Sequence, residues 1–133
     1  MFRIFICVVL AVASLSILQG DEADPKGASL DKLHQARIDL LTEDLASIEN
    51  AHRNGKTTET TIDEAKIRLY LAEAEAANDV NTKHAKQAEV IRILESLVDR
   101  TKSLVAQGIA PQNTLRDARL RLIETQIDFH TGE

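Results

Sequence analysis

The chain has 133 residues, a formal net charge of −5, no tryptophan and a single cysteine. An acidic surface does not favour nucleic acid, because binding to phosphates needs a basic face. Tyr70 and three phenylalanines are the only aromatic residues, which excludes a thick globular core but allows narrow apolar seams between helices. One cysteine excludes a disulfide within the chain.

Residues 1–20 have the pattern of a secretory signal peptide. Arg3 makes the start basic, residues 4–18 carry no charge, and an acidic stretch begins at Asp21. At about 1.5 Å per residue, this apolar run is shorter than the roughly 30 Å core of a bilayer. A cleaved signal is therefore favoured over a retained anchor. The sequence predicts an exported protein, periplasmic or extracellular, with peripheral or no membrane contact.

Residues 21–28 contain Pro25 and Gly27 and show no apolar period, which predicts a mobile leader before a helical domain over residues 29–133. Ser29 is a typical N-cap for the first helix. Asn54 and Gly55 end that helix, because glycine adopts the left-handed conformation at low cost. The expected seam of this helix has spacings of 3, 4, 3 and 4 residues: Ile38, Leu41, Leu45, Ile48 and His52.

The second helix is expected to start near Thr61, where Thr61 and Glu64 match a capping box; Thr114 and Asp117 repeat that spacing. No Gly or Pro follows until Gly108, which favours one continuous helix of about 45 residues, with a bend at 78–82 as the alternative. A continuous helix would place the two glycine turns at opposite ends of the molecule. The seams of the second and third helices follow the same spacing: Ile62, Ala65, Leu69, Ala72 and Ala76; Ile91, Leu94, Val98, Thr101 and Val105; Leu115, Ala118, Leu122, Thr125 and Phe129.

An internal repeat with an offset of 53 residues organises the chain. It aligns Gly55 with Gly108, and further matches lie on both sides of the turns. A repeat of this kind indicates one supersecondary unit used twice, here over about 38–75 and 91–128. The predicted fold is therefore all-α: extended antiparallel coiled-coil hairpins, in which two repeats of helix, glycine turn and helix share a long central helix.

Gly108 is followed by the triplet Asp117-Ala118-Arg119, and Gly55 more loosely by Glu64-Ala65-Lys66. A glycine turn followed by such a triplet resembles the periplasmic hairpin tips of TolC-like outer-membrane efflux proteins. The resemblance implies a helical protein that joins an efflux or secretion conduit, with an adaptor protein contacting the tips.

A weaker resemblance involves Arg100, Leu104 and Pro111, whose spacing is similar to that of the Arg, Leu and Ser of periplasmic adaptor hairpins. Together the two resemblances give a set of expected partner-binding residues: Gly55, Lys56, Arg100, Leu104, Gly108, Ile109, Asp117 and Arg119.

Catalysis and metal binding have little support in the sequence. Glu49 and His52 have the spacing used in di-iron bundles, but the matching positions of the second unit hold Lys102 and Val105. No nucleophile motif or phosphate-binding loop is present, so neither a cofactor nor an enzymatic activity is expected.

The preferred function is a structural or interaction protein of an envelope complex. Apolar residues on a second face predict self-association or a protein partner: Val90, Leu97, Leu104 and Leu120. The alternative is a small periplasmic chaperone or stress protein, which would bind unfolded clients through an exposed apolar face: Ile67, Tyr70, Leu71, Ile123 and Ile127.

Overall fold

The computed structural model describes residues 29–132, and within this range the chain forms four α-helices and no strand. The helices are α1 (Leu30–Arg53), α2 (Glu59–Ala76), α3 (Val80–Ala106) and α4 (Gln112–Thr131). Consecutive helices pack on one another, so the predicted all-α class is confirmed. The predicted signal peptide and leader, and Glu133, lie outside the described residues.

The first hairpin joins α1 and α2 in antiparallel order. Arg37 pairs with Glu75, far from the turn, and Arg68 donates to Asp44, nearer the turn, at 3.0 Å. No residue of α1 is fully buried, but its predicted seam is half-buried from Ile38 to Ile48. His52 is an exception: it is exposed, and its Nδ1 lies 3.1 Å from the carbonyl oxygen of Thr57.

The prediction of one continuous central helix is wrong. α2 ends at Ala76, and Ala77 and Asp79 both have extended backbone conformations. The Asp79 carboxylate accepts a 2.8 Å hydrogen bond from the Thr82 amide and so caps the start of α3. The alternative of a bend at 78–82 is confirmed only in part: the interruption lies at 77–79, and residues 80–82 already belong to α3. The interruption is a full reversal, because Lys86 of α3 returns to Glu73 of α2 at 2.7 Å.

The reversal packs α3 against α2 and then α4 against α3. Ile67, Val90 and Leu94 are 3, 1 and 2% exposed and form the centre of the core. Leu122 and Phe129 of α4 pack against it. Most of the remaining core lies along α2: Ile62, Ala65, Leu69, Ala72 and Ala74.

This packing corrects several expected surface positions. Val90 and Ile67 are buried, and Tyr70, Leu71 and Leu97 pack against the core instead of forming an exposed face. The physical reason is that α3, folded back on α2, covers the face that a continuous helix would have left open. The other residues that were expected to be exposed are exposed, with 40–54% of each residue's surface accessible: Leu104, Leu120, Ile123 and Ile127.

The predicted seams of α2, α3 and α4 are confirmed, since all their residues are buried or half-buried. The predicted capping boxes are wrong. The N-cap of α2 is Thr58, whose hydroxyl accepts from the Thr61 amide at 3.4 Å, and the N-cap of α4 is Pro111, without a side-chain cap. Each helix begins before its predicted capping threonine, because a hydroxyl three residues upstream, or the fixed φ of proline, already ends the turn.

Candidate functional site at the two glycine turns

The two glycine turns have the same backbone structure. Gly55 and Gly108 are the only described residues with a left-handed φ, at 68° and 71°. In the first turn the Lys56 amide donates to the Ala51 carbonyl at 2.9 Å, and in the second the Ile109 amide donates to the Leu104 carbonyl at 2.9 Å. These bonds close the helix ends in the way typical of glycine C-caps. The repeat with an offset of 53 residues is thus a repeat in structure as well as in sequence.

Both turns lie at the same end of the helices. Arg100, near the end of α3, contacts Glu59 at 2.9 Å and also hydrogen-bonds Asp63, and both carboxylates are in the first turns of α2. The last turns of α3 therefore lie beside the start of α2, which follows the first glycine turn directly. The expectation of turns at opposite ends depended on the continuous helix and fails with it.

Arg100 acts as an internal tie between the two hairpins. Its side chain is 31% exposed and the Asp63 side chain 15% exposed. Burial lowers the pKa of the guanidinium, but the hydrogen bond and charge of Asp63, with the charge of Glu59, outweigh it and raise the pKa overall. The sequence predicted that Arg100 contacts a partner, but its guanidinium is already paired with the Glu59 and Asp63 carboxylates of α2.

A second tie links α2 directly to α4. Arg121 donates two hydrogen bonds to the Glu64 carboxylate, one of them at 2.9 Å. The hydrogen bond from Arg121 lowers the pKa of Glu64 and outweighs the opposite effect of burial. This contact joins residues 57 positions apart, and the sequence carried no signal for it.

The remaining expected residues fall into two groups. Gly55, Lys56, Gly108 and Ile109 lie in the turns and are exposed, Ile109 at 68%. Leu104 lies in the last turns of α3 and is 40% exposed. The structure brings these five together at one end of the helices.

Asp117 and Arg119 belong to the second group. Both are exposed on α4, at the sixth and eighth residues of that helix, and Asp117 contacts Arg116 at 3.9 Å. They follow the second turn but are not part of it.

The two turns differ in chemistry although they share a backbone. Arg53 and Lys56 make the first turn basic, which also suits the negative end of the α1 dipole. The second turn presents Gln107, Ile109 and Ala110, without a charge. The end of the molecule therefore combines a cationic and an apolar element, and a Cβ added at either glycine would meet no atom within 4 Å.

The described part of the chain contains no grouping of three or more His, Cys, Asp or Glu side chains that could hold a metal ion. An open groove of about 550 Å³ lies between α3 and α4, away from the turns, and includes His84, Ile91 and Phe129. Across residues 29–132, no helix has the length and apolar character that crossing a membrane requires.

No protein-family model, curated protein or solved structure matches this chain.

Proposed function

We propose that the chain is an exported, non-enzymatic interaction protein of the cell envelope, in which antiparallel coiled-coil hairpins present the two glycine turns to a protein partner. The observation that carries the proposal is the placement of both turns at one end. A partner can contact both turns at once only when they point the same way, and the reversal at 77–79 provides that.

The resemblance to TolC-like hairpin tips supports the same proposal. Two tips of that kind need to point the same way. The contacts of Arg100 with Glu59 and Asp63 hold the end of α3 beside the start of α2, so the two turns lie at the same end of the helices. The exposed Lys56 and Ile109 then provide a cation and an apolar side chain for the partner. An efflux or secretion complex is the assembly in which we expect the partner.

The chaperone alternative has less support. Of the five residues that would have formed a client-binding face, Ile67 is buried and Tyr70 and Leu71 pack on the core. Ile123 and Ile127 alone remain exposed from that set. A face of two side chains is small for an unfolded client.

The test is crosslinking in living cells. A photo-reactive residue at Ile109 or Lys56 should capture a protein of defined mass, whereas the same residue at Asp128, exposed near the far end of α4, should not. Equal capture from all three positions, or none from either turn, would refute the proposal.

A glycine substitution sharpens the test. Gly108→Asn keeps a residue that tolerates a positive φ, whereas Gly108→Val does not. Capture from position 109 should persist in the asparagine variant and disappear in the valine variant, with helicity by circular dichroism nearly unchanged in both. Undiminished capture in the valine variant would mean that the partner does not recognise the backbone conformation of the turn.

A further inference from the structure

An apolar stripe runs along the outer face of α4. Leu120, Ile123 and Ile127 are 51, 51 and 54% exposed and recur at helical spacing. Arg116 and Arg119 line the same shallow surface groove as Leu120 and Ile123. On α1, Leu40 is 67% exposed.

The internal repeat relates these exposed residues of α4 and α1 to residues of the α2–α3 interface. An offset of 53 residues relates Leu120 to Ile67 and Ile123 to Tyr70, and both of these pack in the core that α2 forms with α3. The same offset relates Leu40 to Ile93, which packs against that core from α3. The outer faces of α4 and α1 are thus the repeat equivalents of two faces that cover each other within one copy.

The charges of the two faces are complementary. Six residues line one stretch of the α2–α3 seam: Asp63, Lys66 and Tyr70 from α2, and Arg92, Ile93 and Ser96 from α3. Their repeat equivalents are Arg116, Arg119 and Ile123 on α4, and Asp39, Leu40 and Glu43 on α1. Two arginines would therefore face two carboxylates, with an apolar contact between Ile123 and Leu40.

We propose that α4 of one copy docks on α1 of a second copy in the register of the α2–α3 interface. Ile123 and Leu120 then cover Leu40 of the second copy, while Arg116 and Arg119 face its Asp39 and Glu43. The contact joins two different surfaces, so association is head-to-tail and can continue from copy to copy. It uses a face separate from the glycine turns and does not depend on the partner proposed there.

Cysteine crosslinking tests the register. In a protein with Cys7→Ser, Leu40→Cys in one preparation and Ile123→Cys in another should form a disulfide-linked dimer only when the two are mixed. Mixing Leu40→Cys with Asp128→Cys, a control on another part of α4, should give none. A dimer from Ile123→Cys alone at equal yield would show a two-fold symmetric contact and overturn the proposal.

Charge reversal tests the pairing in the purified protein. Sedimentation should show an oligomer that weakens with salt, because exposed ion pairs are screened. Arg119→Glu or Glu43→Arg should each raise the dissociation constant by roughly tenfold or more, and the double variant should recover most of that loss. A wild-type protein that stays monomeric at high concentration, or a double variant no better than the single ones, would overturn the proposal.

Discussion

The burial of Ile67 distinguishes a continuous central helix from the observed hairpin, because this side chain would be exposed in the first arrangement and is buried in the second. Its side chain is 3% exposed and lies in one cluster with Val90 and Leu94. Ile67→Ala removes three carbon atoms. At about 0.8 kcal/mol for each buried methylene, the lost transfer free energy is roughly 2.4 kcal/mol. The cavity left behind adds to this, so we expect the free energy of unfolding to fall by about 3 kcal/mol.

The measurement is urea unfolding followed by far-ultraviolet circular dichroism, at a concentration low enough to keep the protein monomeric. Leu120→Ala is the matched control, since it occupies the same repeat position at 51% exposure and should change stability by less than about 0.5 kcal/mol. If Ile67→Ala lost less than about 1 kcal/mol, or no more than Leu120→Ala, the reversal at 77–79 would not bury this face.

Gly108→Val should lower the free energy of unfolding by about 1 kcal/mol or more through strain at a positive φ, and Gly108→Asn by less; equal effects in thermal melts would count against a left-handed turn. The pKa of Glu64 is lowered in the folded state, so its contribution to stability is present above its ordinary value of 4.5 and is lost as pH falls through the folded-state pKa. The stability difference between wild type and Glu64→Gln should therefore vanish in acid, and a difference independent of pH would contradict the pairing with Arg121. Arg100→Met should cost roughly 1–3 kcal/mol in urea, because it leaves the largely buried Asp63 carboxylate without its cation; a neutral effect would argue against a tie between the hairpins. Leu45 is half-buried, so Leu45→Ala should cost only about 1–2 kcal/mol, and a loss as large as that of Ile67→Ala would show that α1 is buried more deeply than its exposure indicates.

Several features could be predicted from the sequence because they depend on neighbouring residues. The seams follow from helical spacing, and the ends of α1 and α3 follow from Gly55 and Gly108, since few other residues adopt a positive φ. The repeat of 53 residues predicted two similar turns, and the amides of Gly55 and Lys56 donate to the same relative carbonyls as those of Gly108 and Ile109. The sequence also predicted which side chains the turns present to a partner, because Lys56 and Ile109 are exposed wherever the turns lie in the fold.

The break at 77–79 could not be predicted with the same certainty. Asn78 and Asp79 have poor helix propensity, but each costs a helix only a fraction of a kcal/mol. The choice between continuing and reversing depended on what a reversal would gain, namely burial of Ile67 and Val90 and the ion pairs of Arg100 and Arg121. Those gains join residues that are 23 to 57 positions apart in the chain, so no local pattern records them.

The sequence by itself determined the all-α class, the seams, the two glycine turns and their repetition, because backbone conformation and amphipathic spacing are local properties. The tertiary structure alone decided the direction of the turns, the burial of Val90 and Ile67, and the engagement of Arg100. The physical reason is that these depend on the sum of apolar burial and charge pairing between helices, which is large enough to override the weak local preference for a continuous helix.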